Sequence, residues 1–141
     1  MLIKIAKEFR WEMSHRLTFH KGPCKNIHGH SYKLVLFLTG ELDENGLILD
    51  FYDINQIVSP FIGELDHAFL CSPDDEKILN FLKEMEYKYY LSDEFTTCEQ
   101  MTQFFWRKLS PEFKKYKNIK SLGIRIYETF DAYAEIEADL V

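Results

Sequence analysis

Segments with a strand-like pattern lie at both ends of the chain, and segments with helical periodicity lie between them. Residues 2–9 alternate apolar and charged side chains in part, and residues 30–39 are rich in aromatic and β-branched side chains. A second strand pair is indicated by residues 121–128 and 132–140 around a turn at 129–131. Two strands, then helices, then two strands predict an α+β fold with an antiparallel sheet backed by helices.

Three helical segments are indicated in the middle of the chain. Asp50 or Asp53 could cap a helix over residues 53–63, in which Pro60 predicts a kink or an early stop, and residues 75–86 form a shorter helix. A third helix begins at the capping-box patterns of residues 96–99 and 97–100 and is predicted to end at Pro111. The turn residues 43–46 predict a hairpin that joins strand 30–39 to residues 46–51.

The length of 141 residues, with 46% hydrophobic side chains, suits one core and predicts a single domain over residues 1–141. No apolar run approaches the roughly 20 residues needed to cross a bilayer. Cys24, Cys71 and Cys98 are too few and too dispersed for a disulfide framework, and the N-terminus lacks the apolar stretch of a signal peptide. We therefore expect a cytoplasmic protein without membrane contact.

The net charge of −6 combines two unlike parts. The first 40 residues hold seven Lys and Arg against two Glu, a net of +5, and four of the five histidines. The acidity of the rest argues against nonspecific nucleic-acid binding, which depends on neutralising phosphates. The basic part could still attract a small phosphorylated ligand, and Arg16, Lys21 and Lys25 are candidates for that contact, although an ordinary basic loop would look the same.

The segment from Cys24 to His30 contains the densest pattern of reactive side chains. Residues i and i+2 of an extended chain point the same way, so His28 and His30 can direct two imidazoles at one point. His15 could supply a third nitrogen, and three imidazoles with one open position are typical of catalytic Zn²⁺. Two alternatives remain open: these are polar residues at a strand edge, or Cys24 closes a structural Cys/His₃ zinc site.

Two further features suggest chemistry. In Asp66-His67 a carboxylate next to an imidazole could tune it as a general acid or base, although a solvated helix end is the commoner meaning. The period of two places Glu128 on the apolar face of its strand, where a carboxylate is costly unless it is paired. Glu128 could lie at the strand end near water, or it could await a ligand with two N–H donors, such as a 2-amino-4-oxo pyrimidine edge.

Taken together, these motifs resemble the 6-pyruvoyl-tetrahydropterin synthase superfamily, and most closely its bacterial branch, the 6-carboxy-5,6,7,8-tetrahydropterin synthases of queuosine biosynthesis. The branch is indicated by Cys-x-x-x-His-Gly-His, since the pyruvoyl-forming enzymes of animals place two more residues between Cys and the first His. The resemblance runs over nearly the whole chain, through Ser14-His15-Arg16-Leu17, residues 24–32, Asp50-Phe51, Leu65-Asp66-His67, Thr97-Cys98-Glu99 and Glu128-Thr129.

This resemblance implies a role for each matching residue. His15, His28 and His30 would bind catalytic Zn²⁺, Cys24 would accept the proton, and Asp66 with His67 would complete the relay. The pterin would be anchored by Glu128, beside a pocket wall that includes Glu99, Thr97 and Cys98. The acidic stretch 74–90 varies in such enzymes and receives no role.

The implied fold is the tunnelling fold, a four-stranded antiparallel sheet with helices on one face, assembled into a hexamer with sites between subunits. The implied reaction converts 7,8-dihydroneopterin triphosphate to 6-carboxytetrahydropterin, with release of triphosphate and acetaldehyde. Two alternatives remain, a pyruvoyl-forming or aldolase reaction on the same fold and a noncatalytic zinc-stapled binding module.

Overall fold

The computed structural model describes residues 1–140 and contains six strands and three α-helices. The strands are β1 (Ile3–His15), β2 (His28–Gly40), β3 (Ala68–Cys71), β4 (Tyr89–Leu91), β5 (Ile119–Thr129) and β6 (Ala132–Asp139). The helices are α1 (Phe51–Leu65), α2 (Glu76–Glu84) and α3 (Cys98–Phe113). No helix in this part of the chain is long and apolar enough to cross a membrane.

The sheet has six strands in the order β4-β3-β1-β2-β5-β6, two more than the sequence predicted. The expected four-stranded antiparallel sheet is present, because β1, β2, β5 and β6 pair antiparallel in that order. The additional strands β3 and β4 extend the β1 edge in parallel. They are only four and three residues long, so neither contains enough alternating positions for a period-two pattern to stand out.

The core lies between one face of the sheet and the helices α1 and α3. Ile54 and Val58 of α1 and Phe105 and Leu109 of α3 are fully buried against the inward side chains of β1, β2 and β5. The short helix α2 instead packs Leu82 against Phe69 and Cys71, which form a separate small cluster. Leu70, between those two residues, belongs to the main core, so α2 lies against the opposite face of β3.

The predicted helix starts are confirmed, and one predicted helix end is wrong. The Asp50 carboxylate accepts the Tyr52 amide at the start of α1, and the Thr97 hydroxyl accepts the Gln100 amide at the start of α3. Pro60 lies within α1, and α3 runs two residues beyond Pro111 to Phe113. Proline lacks only its own N–H, so the amides that follow it can still donate to carbonyls before it, as the Lys114 amide does to the Ser110 carbonyl.

The predicted hairpin between residues 30–39 and 46–51 is wrong. β2 pairs with β1 on one side and β5 on the other, and no strand occupies residues 41–50. Both edges of β2 are therefore filled by distant segments, and the turn at 43–46 connects to α1 instead. β1 is also longer than the predicted strand of residues 2–9, and its last residue is His15.

Candidate metal and pterin site

Three histidines and one glutamate meet where the core face of the sheet reaches the ends of β1, β2 and β5. His15 pairs directly with His28 across the β1–β2 ladder, and His30 follows two residues later on the same face. Glu128 reaches this point along the buried face of β5 that carries Leu122, Ile124 and Ile126. One donor atom from each of His15, His28, His30 and Glu128 lies within 4.8 Å of the other three.

The outer ring nitrogens of two of these histidines are fixed by backbone carbonyls. His15 Nδ1 lies 2.8 Å from the Thr96 carbonyl, and His28 Nδ1 lies 2.8 Å from the Asn26 carbonyl. A carbonyl can only accept, so each Nδ1 carries a proton, and in a neutral ring Nε2 then presents its lone pair to the cluster. A hydrogen bond of this kind orients a histidine that ligates a metal.

The inner atoms of the cluster call for a positive charge between them. Glu128 Oε1 lies 3.3 Å from His15 Nε2 and 3.1 Å from His30 Nε2. Neither nitrogen has a hydrogen-bond partner in the described chain. Two acceptors repel at this distance unless a proton or a metal cation lies between them, and buried atoms without partners are costly. The donor set and these unpartnered nitrogens fit a divalent metal ion such as Zn²⁺.

The protonation states agree with this interpretation. The pKa of His30 lies below its usual value, mainly because the ring is partly buried. Glu128 acts to raise this pKa, whereas the neighbouring His15 and His28 lower it. A hydrogen bond from His15, which needs a proton on Nε2, is the main cause that lowers the pKa of the Glu128 carboxyl, and burial opposes it. A cation at the same place would act in the same direction. A neutral imidazole beside an ionised carboxylate is the state in which these groups bind a cation.

The structure places the other predicted catalytic side chains in two separate segments. His67 Nδ1 contacts Asp66 Oδ1 at 3.0 Å, so the predicted carboxylate–imidazole pair forms, and the His67 side chain is 76% exposed. Cys24 lies half-buried in the loop between β1 and β2. Within residues 1–140 no hydrogen bond or ion pair links its thiol to His67 or to the metal cluster, and the cluster of potential ligands does not include it.

The three thiols differ in exposure and acidity. Burial raises the pKa of Cys71 to about 11 and that of Cys98 to about 11. The Cys98 thiol also lies 3.3 Å from the Ile126 carbonyl. Both thiols therefore stay protonated at neutral pH, and the half-buried Cys24 is the accessible one.

Apart from Glu128 on β5, the predicted substrate contacts lie in two segments. Thr97 and Cys98 lie at the start of α3 next to Thr96, and Glu99 is exposed in the first turn. Lys21 and Lys25 are exposed in the β1–β2 loop. Arg16 differs from both lysines, because its guanidinium already binds the Asp75 carboxylate and the Lys25 carbonyl.

Two residues near the cluster were missed by sequence reasoning. Tyr32 continues the face of His28 and His30 by the same period of two, packs edge-on against His30 with ring centres 5.5 Å apart, and is 1% exposed. The pattern could have found it. Thr96 holds His15 through its backbone carbonyl, and no side-chain pattern reveals a contact made by a carbonyl 81 residues away.

The fold and this site together define a class of protein, an α+β tunnelling fold with a histidine-rich metal-binding cluster at one end of its sheet. The sequence model of the 6-pyruvoyl tetrahydropterin synthase family matches residues 4–139, and the chain belongs to that family.

Several proteins resemble this chain over most of their length. The 6-carboxy-5,6,7,8-tetrahydropterin synthase of Haemophilus influenzae is 32% identical over 96% of this chain and 99% of its own. A Pyrococcus horikoshii protein named putative 6-carboxy-5,6,7,8-tetrahydropterin synthase is 32% identical over 93% of this chain and 86% of its own. The solved 6-pyruvoyltetrahydropterin synthase of Plasmodium vivax superposes with a TM-score of 0.80 at 16% identity, covering 99% of both chains, and so shares the fold.

Proposed function

We propose that this protein is a zinc-dependent lyase that converts 7,8-dihydroneopterin triphosphate to 6-carboxy-5,6,7,8-tetrahydropterin, with release of triphosphate and acetaldehyde, in queuosine biosynthesis. The observation that carries the proposal is the cluster of His15, His28, His30 and Glu128. Full-length relatives named 6-carboxy-5,6,7,8-tetrahydropterin synthase support the choice of reaction.

Each group in the site has a distinct task under this proposal. His15, His28 and His30 hold Zn²⁺, which would supply Lewis-acid polarisation of the substrate's side-chain hydroxyls. Glu128 accepts N–H donors from the pterin ring, in a wall completed by Thr97, Cys98 and Glu99. Cys24 accepts a proton from a side-chain carbon of the substrate.

Asp66 orients His67 for proton transfer. Asp66 Oδ1 also accepts the Glu12 amide at 3.0 Å, which fixes this carboxylate against β1. Because His67 Nδ1 faces Asp66, its Nε2 is the nitrogen left to exchange protons with the substrate or with Cys24.

The assembly and location also remain proposals. We infer a homohexamer in which neighbouring subunits complete each site, because His67 is largely exposed and no hydrogen bond or ion pair links it to Cys24 within residues 1–140. A cytoplasmic location is supported by three cysteines that are all unpaired. The excess of acidic residues outside the first 40 argues against a nucleic-acid partner, and the basic first 40 residues could attract a small phosphorylated substrate.

The reaction is tested by identifying the released fragment. Zinc-loaded protein is incubated with 7,8-dihydroneopterin triphosphate, acetaldehyde is measured by its reduction with alcohol dehydrogenase and NADH, and the pterin product is identified by mass spectrometry. We expect acetaldehyde and the 6-carboxy product in equal amounts. Absence of acetaldehyde at full zinc occupancy would refute the assignment.

A second candidate is the pyruvoyl-forming reaction, favoured by the name of the family whose model matches the chain. It would eliminate triphosphate and leave the three-carbon side chain intact, so a pyruvoyl product without acetaldehyde would identify it. An aldolase would cleave the side chain of the same substrate and release glycolaldehyde that still carries the triphosphate.

The variant Cys24→Ala separates an enzyme from a zinc-stapled module. In the proposed enzyme this variant binds zinc normally and loses turnover, because the thiol is not a ligand. Loss of zinc would show that Cys24 closes a structural site. His30→Gln is the matched control and should lose zinc in either case.

A further inference from the structure

The loop that carries Cys24 is tied together at its base by Arg16. We call residues 16–27, which connect β1 to β2, the Cys24 loop. Arg16 Nε donates to the Lys25 carbonyl at 2.7 Å, and the Leu17 amide donates to the Cys24 carbonyl at 2.8 Å. Cys24 therefore lies in a closed loop whose first residues hold its own backbone and that of the next residue.

Arg16 also connects this loop to a distant part of the fold. Its Nη1 lies 2.8 Å from Asp75 Oδ2, and the Asp75 side chain is only 7% exposed. Thr18 Oγ1 donates to Asp74 Oδ2 at 2.7 Å, which makes a second tie to the same segment. Two adjacent carboxylates before α2 thus hold the Cys24 loop in place.

The Asp75 carboxylate binds Arg16 instead of capping the helix that it precedes. It is the N-cap residue of α2, a position where aspartate normally accepts an amide of the first turn. Its side chain makes no such hydrogen bond. The carboxylate instead faces a guanidinium 59 positions away. A residue that gives up its local interaction in this way is expected where a site depends on it.

We propose that Arg16 and Asp75 form a positioning pair, which fixes the Cys24 loop against the start of α2 and thereby sets the place of the Cys24 thiol. This inference rests on the proposed function for the task of Cys24. It gives Arg16 a role other than the substrate contact predicted from the sequence, because two of its nitrogens already have protein partners. It also gives a role to the start of the acidic stretch 74–90.

The experiment compares Arg16→Lys, Arg16→Gln and Asp75→Asn with the zinc-loaded wild type. Lysine keeps the charge opposite Asp75 but lacks the planar guanidinium, in which one nitrogen binds Asp75 while Nε donates to the Lys25 carbonyl. Lys115→Met is the matched control, because it breaks an exposed ion pair with Glu112 on α3, away from the loop. The measurements are zinc content, kcat and KM, and the rate at which iodoacetamide labels Cys24, read by peptide mass spectrometry.

We expect looser placement of the thiol in all three variants of the pair. Labelling of Cys24 should become at least about threefold faster as the loop opens locally, while kcat falls by about tenfold or more because the thiol is misplaced. Zinc content should stay at the wild-type level. Cys71 and Cys98 are buried, so labelling reports mainly on Cys24.

Three results would overturn the positioning pair. The first is a labelling rate and a kcat equal to those of the wild type in Arg16→Lys and Asp75→Asn. The second is loss of zinc together with loss of activity. The third is a raised KM at constant kcat in the Arg16 variants alone, which would identify Arg16 as a substrate contact. If the single variants do not fold, the double variant Arg16→Met/Asp75→Leu removes both charges together. Faster labelling of its Cys24 than in the wild type would support the positioning pair, and an unchanged rate would overturn it. If the wild type has no turnover, the proposed function fails, while the labelling rates still test the pair.

Discussion

At the scale of single residues, Glu128 could act either as a metal ligand or as the anchor of the pterin ring. Its carboxylate contacts two histidines of the cluster, so it could be a fourth ligand, whereas the proposed reaction uses it as the pterin anchor. A fourth protein ligand would close the coordination sphere, and catalysis needs an open position. The pterin role therefore requires that the three histidines hold the metal without Glu128.

Glu128→Gln tests this division. Glutamine keeps the size and one acceptor oxygen but loses the charge, so we expect normal zinc content and a KM for the pterin substrate raised by about tenfold or more, the loss typical of a charged hydrogen bond. Zinc is measured by inductively coupled plasma mass spectrometry after gel filtration. A fall in zinc content comparable to that of His30→Gln would make Glu128 a ligand and remove it as the anchor.

The sequence predicted which side chains lie on the same face of one strand. It did not predict which side chains from distant segments come together in the folded chain. The period of two placed Glu128 on the face of Ile124 and Ile126, and it aligned His28 with His30. It did not show that β1 continues to His15, which brings His15 opposite His28. Arg16 was predicted as a substrate contact from the basic first 40 residues, and its pairing with Asp75, 59 residues away, cannot be read from a local pattern.

At the scale of secondary-structure elements, the start of α3 lies next to the metal cluster. The Thr97 hydroxyl caps the helix by accepting the Gln100 amide at 3.1 Å, and the preceding Thr96 holds His15. The cap fixes where the helix begins and thus where Thr96 lies. A residue predicted to line the pterin pocket therefore also has a structural task.

Thr97→Ala removes this cap, and we expect the free energy of unfolding to fall by about 1 kcal/mol. Thr97→Ser keeps the hydroxyl and should retain most of the stability. The measurement is urea unfolding followed by circular dichroism on metal-free protein. Equal stability of the wild type and the alanine variant would mean that the hydroxyl does not cap α3 in solution.

The ionised Asp66 side chain ties the end of α1 to β1, because its Oδ1 accepts the Glu12 amide. The Glu12 amide is the main cause that holds the pKa of the Asp66 carboxyl below its usual value, and burial opposes it. His67 and Lys88 lower this pKa further. A carboxyl whose pKa is lower in the folded state stabilises the fold above its unfolded pKa, and this contribution is lost as the pH falls through the folded value.

Asp66→Asn should therefore be less stable than the wild type at neutral pH, and the two should converge between about pH 5 and about pH 2. Urea unfolding of metal-free protein at a series of pH values gives the difference directly. Asp93→Asn, an exposed substitution outside α1, is the control and should show a smaller difference. A difference between the wild type and Asp66→Asn that stayed constant down to pH 2 would contradict the lowered pKa.

At the scale of the whole molecule, the groups of the proposed site lie in separate segments of the chain. The metal cluster lies at the ends of β1, β2 and β5, while the His67 side chain is 76% exposed. Within residues 1–140, no hydrogen bond or ion pair links Cys24 to the cluster or to His67. A proton relay needs its groups within hydrogen-bond reach of the substrate. If one copy supplies the metal and Cys24, a neighbouring copy can supply Asp66 and His67.

Mixing two inactive variants tests whether sites are shared between copies. Cys24→Ala and His67→Ala should each lack turnover. If Cys24 and His67 of one site come from different chains, random reassembly of an equal mixture restores about a quarter of the sites, because each needs an intact thiol from one copy and an intact imidazole from its neighbour. Zinc-loaded variants are dissociated in mild denaturant, mixed, reassembled and assayed, and sedimentation checks that hexamers re-form. Each variant treated alone is the control. A mixture that forms hexamers but stays inactive would place both groups of a site in the same chain.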